Sequence, residues 1–291
     1  MKETISIRLM RTLMAGKSRL SEEALSQIRQ YVKSQQERDG VAFMNKTGKP
    51  DLYYTAFGWL LSYVLGIDLD AGMRKQYLQH QEPKIFGLIH YAAFMRCCLL
   101  DELMDKGKLR IALTGHRMRQ LRPMDSFTEV PQHDLDCPYS KFVWMTLLED
   151  TRNVLEYTDS WENSLANYKT PDGGYSNFCQ QNATSSVNAT AAALAVKGQL
   201  NGWQPAEEIL ALRQMQDETG GFKAVAQAPA ADLLSTATAL FILGQYGINP
   251  LYEATDFIVS HWLDNGGFGA TLLDDESDVE YVFYGLLALG A

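Results

Sequence analysis

Residues 274–278, Asp-Asp-Glu-Ser-Asp, hold two adjacent carboxylates and a third three residues on, a DDxxD spacing whose oxygens can chelate Mg²⁺ and through it a diphosphate. Such chelation needs a second acidic motif on a facing helix, and the sequence holds none. The motif stands just before an apolar run, which makes Asp278 a helix N-cap and the rest a solvated loop. Asp51 and Asp232 precede two other apolar runs in the same way. A carboxylate at that point satisfies free N–H groups of the first turn and faces the positive end of the helix dipole. With their neighbours, Asp232, Asp278, Glu280 and Tyr281 are the candidate acid/base groups. His133-Asp134-Leu135-Asp136-Cys137 gathers four ligand types in five residues without a metal-site spacing and reads as a surface loop. The four cysteines form no CxxC pair and the five histidines no HExxH or HxxxH. A disulfide scaffold, a metal site and a cofactor are therefore not expected.

Aromatic residues recur at helical spacing in the same apolar runs. Tyr54 and Tyr281 each fall three residues after a leading Asp, and Phe57 and Tyr284 six after it. Repeated placement makes Tyr54, Phe57, Trp144, Tyr281 and Tyr284 the candidate ligand-lining residues, with core packing as the alternative for any of them. An apolar cavity with few polar groups suits an apolar small molecule.

These residues are positioned by a repeat. Asp172-Gly-Gly-Tyr175, Thr219-Gly-Gly-Phe222 and Asn265-Gly-Gly-Phe268 lie 47 and 46 residues apart, and apolar stretches beginning at Ser185, Asp232 and Asp278 keep the same spacing. A period near 46 over three copies means stacked supersecondary units. The segment before each glycine pair, such as Pro205 to Gln216, has apolar residues at 3 to 4 spacing, Pro at its start and Gly at its end, and reads as a helix. The stretch after it is nearly all apolar and small, the pattern of a buried helix. Each unit is thus an outer helix, a Gly-Gly-aromatic loop and an inner helix. Gln35 to Phe43 followed by the run from Pro50 is a first unit, and the runs from Pro83 and Asp136 are degenerate inner helices, giving about six units. No linker separates them, so residues 1–291 are expected to form one domain with clear repeats over 160–291 and degenerate ones over 67–159. Because the apolar YGLLALG leads straight to Ala291, the ends are expected to cover each other and close a ring around a cavity.

The Gly-Gly-aromatic loops, with Asp232-x-x-Ser-Thr-Ala-x-Ala-Leu240 and Asp278-x-x-Tyr-x-x-x-Gly-Leu286, resemble the prenyltransferase and squalene-cyclase repeat. The resemblance implies an all-α fold, an α/α toroid with an aromatic-lined cavity for an isoprenoid. The family comprises protein prenyltransferase β subunits, squalene-hopene and oxidosqualene cyclases and class II diterpene cyclases. Its prenyltransferases hold zinc on an Asp-x-Cys and a His, at positions that here are Asp232, Leu234 and Tyr281. One ligand of three cannot hold zinc. Their diphosphate site needs an Arg and a Lys before that Asp, where this chain has only Lys223. The cyclases use an Asp-x-Asp-Asp-Thr-Ala acid, matched here by Asp232-Leu-Leu-Ser-Thr-Ala237, which keeps one carboxylate.

Composition narrows the partners. With 26 Lys and Arg against 35 Asp and Glu, the net charge is −9, without the basic footprint of a nucleic-acid binder. No apolar run approaches the ~18 residues of a membrane span, and Arg8 and Arg11 interrupt the only signal-like stretch, so a cytoplasmic protein is expected. Lys106, Lys108, Arg110, Arg117, Arg119 and Arg122 form a basic strip over residues 106–122 that could meet an acidic partner or anionic head group, against a plain solvated face. The leading reading is a toroid binding an apolar, isoprenoid-like ligand, its chemistry either lost or carried by residues outside the family pattern. Alternatives are a non-catalytic protein-binding scaffold and a carbohydrate-active α/α toroid with paired carboxylates.

Overall fold

Apolar periodicity and strong caps divide the chain into helices whose ends are set by named side chains. The computed structural model describes residues 3–38, 40–81, 87–106, 121, 127, 135–151, 158–180, 183–200 and 206–291. In chain order the elements are α1 (Ile5–Ser18), α2 (Glu22–Ser34), β1 (Phe43–Met44), β2 (Pro50–Asp51), α3 (Leu52–Leu65), α4 (Ala71–His80), α5 (Leu88–Lys106), α6 (Pro138–Asp150) and α7 (Thr158–Ala166). They continue as α8 (Val187–Gln199), α9 (Ala206–Arg213), α10 (Leu233–Gln245), α11 (Thr255–Ser260) and α12 (Val279–Gly290). The start of the run from Pro83 and the residue Pro205 lie outside the described residues.

Among the described residues, six helices make the inner wall. Helices α3, α5, α6, α8, α10 and α12 pack in that order, and α12 packs back on α3, so the ring is closed. Cross-links join like ends and show that the helices run in one direction. Tyr53 of α3 bonds Glu280 of α12 near both N-termini, and Tyr246, the residue capping the end of α10, bonds the Leu194 carbonyl late in α8. The inner helices are capped by Asp51, Cys137, Ser186, Asp232 and Asp278 wherever a cap is defined.

The Gly-Gly-aromatic loops explain why the repeat has the residues it has. Gly173, Gly220 and Gly266 have φ of 88°, 89° and 86°, a left-handed conformation that other residues adopt only with strain. The chain then turns so that the aromatic pairs with the end of the preceding helix, as in Gln216↔Phe222 and Lys169↔Tyr175. The buried Phe222 donates its N–H to Thr236 Oγ1 at 2.8 Å, Tyr175 donates to Thr190 at 2.9 Å and Phe43 to Thr55 at 2.9 Å. Each threonine sits four residues beyond the N-cap of its inner helix. The Thr of the Ser-Thr-Ala motif is thus a clasp for the loop. The ring of Phe43 lies on Gly58 of α3 and that of Phe268 on Gly285 of α12, where any Cβ would collide with it.

Helix α1 precedes the repeats and has a separate task. Ile5 N–H donates to Glu149 Oε2 at 2.8 Å, Ser6 Oγ to Asp150 Oδ2 at 2.8 Å, and Lys17 Nζ to the Val64 carbonyl at 2.8 Å. Gly16 and Gly290 bring the backbones of α1 and α12 into contact so close that a Cβ on either would strike a carbonyl oxygen. These partners stand at the C-terminal ends of α6, α3 and α12. Helix α1 therefore lies across one end of the ring as a floor, which the sequence reading had not assigned as an element. No helix among the described residues is long and apolar enough to cross a membrane.

Candidate functional site

The ring encloses a cavity of about 480 Å³. Its upper layer takes one residue from the first turn of each inner helix: Tyr53, Ile89, Tyr139, Asn188, Leu234 and Glu280. For the five capped helices this is the second residue after the cap, so one register rule places the layer. One turn down come Phe57, Phe142, Ala192, Thr238 and Tyr284, the 3 to 4 spacing of a helix face. Further down, Leu60, Arg96, Ile242 and Leu287 lead to Asp150, with Ser6, Leu9 and Met10 of α1 beneath. The walls are chiefly aliphatic and aromatic. Phe57 packs edge-on against Tyr53 and Phe283, each with ring centroids 5.0 Å apart.

Polar groups gather at two levels. Above, the Tyr53 hydroxyl donates to Glu280 Oε1 at 2.8 Å, and Thr238 Oγ1 lies 3.0 Å from Asn188 Oδ1. Burial pushes the Glu280 carboxyl above the usual carboxylate range; the Tyr53 bond and Lys46 oppose the shift, and Asp278 adds to it. The Tyr53 and Tyr284 phenols are raised by the same desolvation. Below, Asp150 is pushed up to about 6 by burial, against the Ser6 bond and the nearby Arg96 charge. Arg96 Nη2 donates to Thr146 Oγ1 at 3.2 Å. Among the described residues no three His, Cys, Asp or Glu side chains converge as metal ligands.

This geometry has known counterparts. The prenyltransferase alpha-alpha toroid domain matches residues 5–197 and 142–291, together spanning nearly the whole chain. The chain belongs to this toroid family. Among solved structures it is similar to protein geranylgeranyltransferase-I of Candida albicans in complex with GGPP, with TM-score 0.57 and 11% identity over 98% of this chain and 90% of that one. It is also similar to the type II terpene cyclase MstE of Scytonema, with TM-score 0.51 and 13% identity over 97% of each chain. These likenesses establish the fold. No curated protein matches in sequence.

Within the toroid, three of the residues singled out from sequence line the cavity: Phe57, Tyr284 and Glu280. Asp232 and Asp278 are N-caps. Asp232 accepts from Ser235 N–H at 2.7 Å and Ser235 Oγ at 2.8 Å, and burial raises its carboxyl. Asp278 accepts from Tyr281 N–H at 3.0 Å, with Lys46 Nζ 3.7 Å from its other oxygen. Tyr281 stands outside the lining, beneath Lys46 at 5.1 Å from its ring, its phenol pushed up to about 12 by burial. Tyr54, also pushed up to about 12, packs beside Tyr53 rather than facing the space. Trp144 is buried against Phe127 at 6.1 Å. Helical geometry explains the split: successive side chains on a helix are turned by about 100°, so the second residue after a cap points inward and the third turns away from the cavity. Leu234, at the place the resemblance gives to a zinc-binding cysteine, does face the cavity.

Reading the sequence missed Tyr139, Asn188, Arg96, Asp150 and Ser6. The first two were accessible through the cap-plus-two register. The others depend on which helix α1 covers, for which no local pattern exists. Asp274 Oδ2 accepts from Thr271 N–H at 2.9 Å in an exposed turn, and Asp275 and Glu276 are exposed. The basic strip 106–122 lies outside the described residues except for position 121 and the backbone of 106, as do His133 and Asp134 of the HDLDC loop.

Proposed function

We propose that this toroid binds an apolar, isoprenoid-like molecule in its central cavity. The observation that carries the reading is the central space of about 480 Å³, walled by aromatic and aliphatic side chains from the six inner helices. That volume falls within the roughly 300–1,000 Å³ of small-molecule sites. Each methylene moved from water into such walls contributes roughly 0.8 kcal/mol, so chain length is the main source of affinity. The geranylgeranyltransferase neighbour holds GGPP, which supports an isoprenoid here. Of the four acid/base candidates, Glu280 is the one among the cavity-lining residues. It is therefore the group with which any proton chemistry on a bound chain would begin, and Asp232, Asp278 and Tyr281 act through the mouth that they cap and border.

Competition between geranylgeraniol and an apolar fluorescent probe tests the reading. The alcohol displaces the probe from the wild-type protein. Replacing Ala192, which lines the cavity, by Trp abolishes displacement while leaving the far-UV circular dichroism unchanged. Equal binding by Ala192→Trp and wild type would place the ligand elsewhere and refute the proposal.

A further inference from the structure

The two polar levels of the cavity share one construction. Glu280 has one oxygen held by the Tyr53 hydroxyl at 2.8 Å, and among the described residues its Oε2 accepts no hydrogen bond. Asp150 has one oxygen held by the Ser6 hydroxyl at 2.8 Å, and its Oδ1 likewise accepts none. Both carboxyls line the same space. Glu280 belongs to the upper layer, level with Tyr139 of α6, and Asp150 ends α6. Eleven residues of helix separate those levels, about 16 Å at 1.5 Å per residue. Between them the wall is Phe57, Leu60, Ala192, Ile242 and Leu287. Each end of the cavity can therefore take one more donor at a carboxyl oxygen.

The charge balance limits what can supply those donors. Among the described residues the lining holds the Glu280 carboxyl at the mouth and the Asp150 carboxyl with the Arg96 guanidinium at the floor. A diphosphate or fatty-acid head would meet the Glu280 carboxyl at the mouth and the Asp150 carboxyl beside Arg96 at the floor, whereas a hydroxyl can donate to either carboxyl.

Building on the apolar-ligand reading above, we propose that the preferred ligand is an uncharged isoprenoid-length chain carrying a hydroxyl at each end, one donating to Glu280 and the other to Asp150. The middle of the chain takes its affinity from the apolar wall. The two ends set length and chemical class.

Probe displacement by dodecanol, by the α,ω-diol of dodecane and by dodecanoate tests this. The diol is expected to bind at least tenfold more tightly than the mono-alcohol, since a hydrogen bond to a charged acceptor is worth about that factor. Dodecanoate binds more weakly than either. Glu280→Leu and Asp150→Ala each bring the diol down to the mono-alcohol's affinity and leave the mono-alcohol within about twofold, because its single hydroxyl can use the remaining end. Should Asp150→Ala fail to fold, Ser6→Ala and Asp150→Asn keep the floor testable. They leave the mono-alcohol in place while Asp150→Asn lowers diol affinity. Equal wild-type affinity for diol and mono-alcohol, or tighter dodecanoate, overturns the proposal while the cavity remains an apolar site. Displacement by none of the three removes the apolar-ligand reading itself.

Discussion

The two ends of the cavity are built on different principles. The mouth is a product of the repeat: a cap and an inward residue two positions on recur from helix to helix, and the threonine clasp recurs in α3, α8 and α10, so that its geometry follows from local rules. The floor is made once, by α1, whose bonds reach Glu149, Asp150 and Val64 on helices remote in sequence. A repeat array can specify a wall by repetition, but closing one end needs a piece that does not repeat. The contrast teaches that side chains at the mouth can be varied one unit at a time, whereas those at the floor are held in common by several helices.

The largest expected effect breaks the floor. Gly16→Leu drives a side chain into the Leu286 carbonyl on α12 and should cost roughly 3 kcal/mol or more in chemical denaturation. A loss below about 1 kcal/mol would mean that α1 adjusts independently and that the floor is as modular as the mouth.

Next comes the clasp. Thr236→Val leaves the buried Phe222 N–H without its 2.8 Å acceptor, and about 1–3 kcal/mol should disappear. Thr236→Ser restores most of it, since the oxygen rather than the methyl is the acceptor. No rescue by Ser would shift the role of this position to packing.

A third measurement compares the ends through pH. The Asp150 carboxyl sits at about 6 in the folded chain, above its ordinary value of 3.8. The native state therefore binds more protons in that window, and the stability contributed by protonated Asp150 is lost as pH rises from about 4 to about 6. One proton gives a slope of at most about 1.4 kcal/mol per pH unit. Glu280 shifts in the same direction, so Asp150→Asn should flatten the pH profile in part and the double variant with Glu280→Gln more fully. An unchanged profile in Asp150→Asn would show that the floor carboxyl ionises as freely as one in solvent.

The smallest effect is a single cap. Asp278→Ala should cost about 1 kcal/mol, the ordinary worth of an N-cap, and Asp275→Ala in the neighbouring exposed turn close to nothing. A loss of several kcal/mol at Asp278 would reveal that its contact with Lys46 holds the mouth together.

Much of the fold was legible because its determinants are close in sequence. The Gly-Gly-aromatic period counted the units, and Asp51, Asp232 and Asp278 marked helix starts because caps bond amides two and three residues away. The site was legible only in part. Phe57, Tyr284 and Glu280 stand in it, while Tyr54 and Tyr281 show how one residue of helical phase, about 100°, turns a side chain from the cavity to the rim. The Thr-Ala of the cyclase-like stretch invited a chemical reading, and Thr236 instead fastens a loop.

The sequence by itself determined an array of about six helical units with its caps and loop geometry, because each depends on short-range spacing. Only the tertiary structure decided that α1 floors the ring, that Arg96 and Asp150 share the lower cavity, and that Glu280 meets Tyr53 across 227 positions of chain. Those contacts arise when ring closure brings distant helices together, and closure is a property of all six packed helices that no single segment encodes.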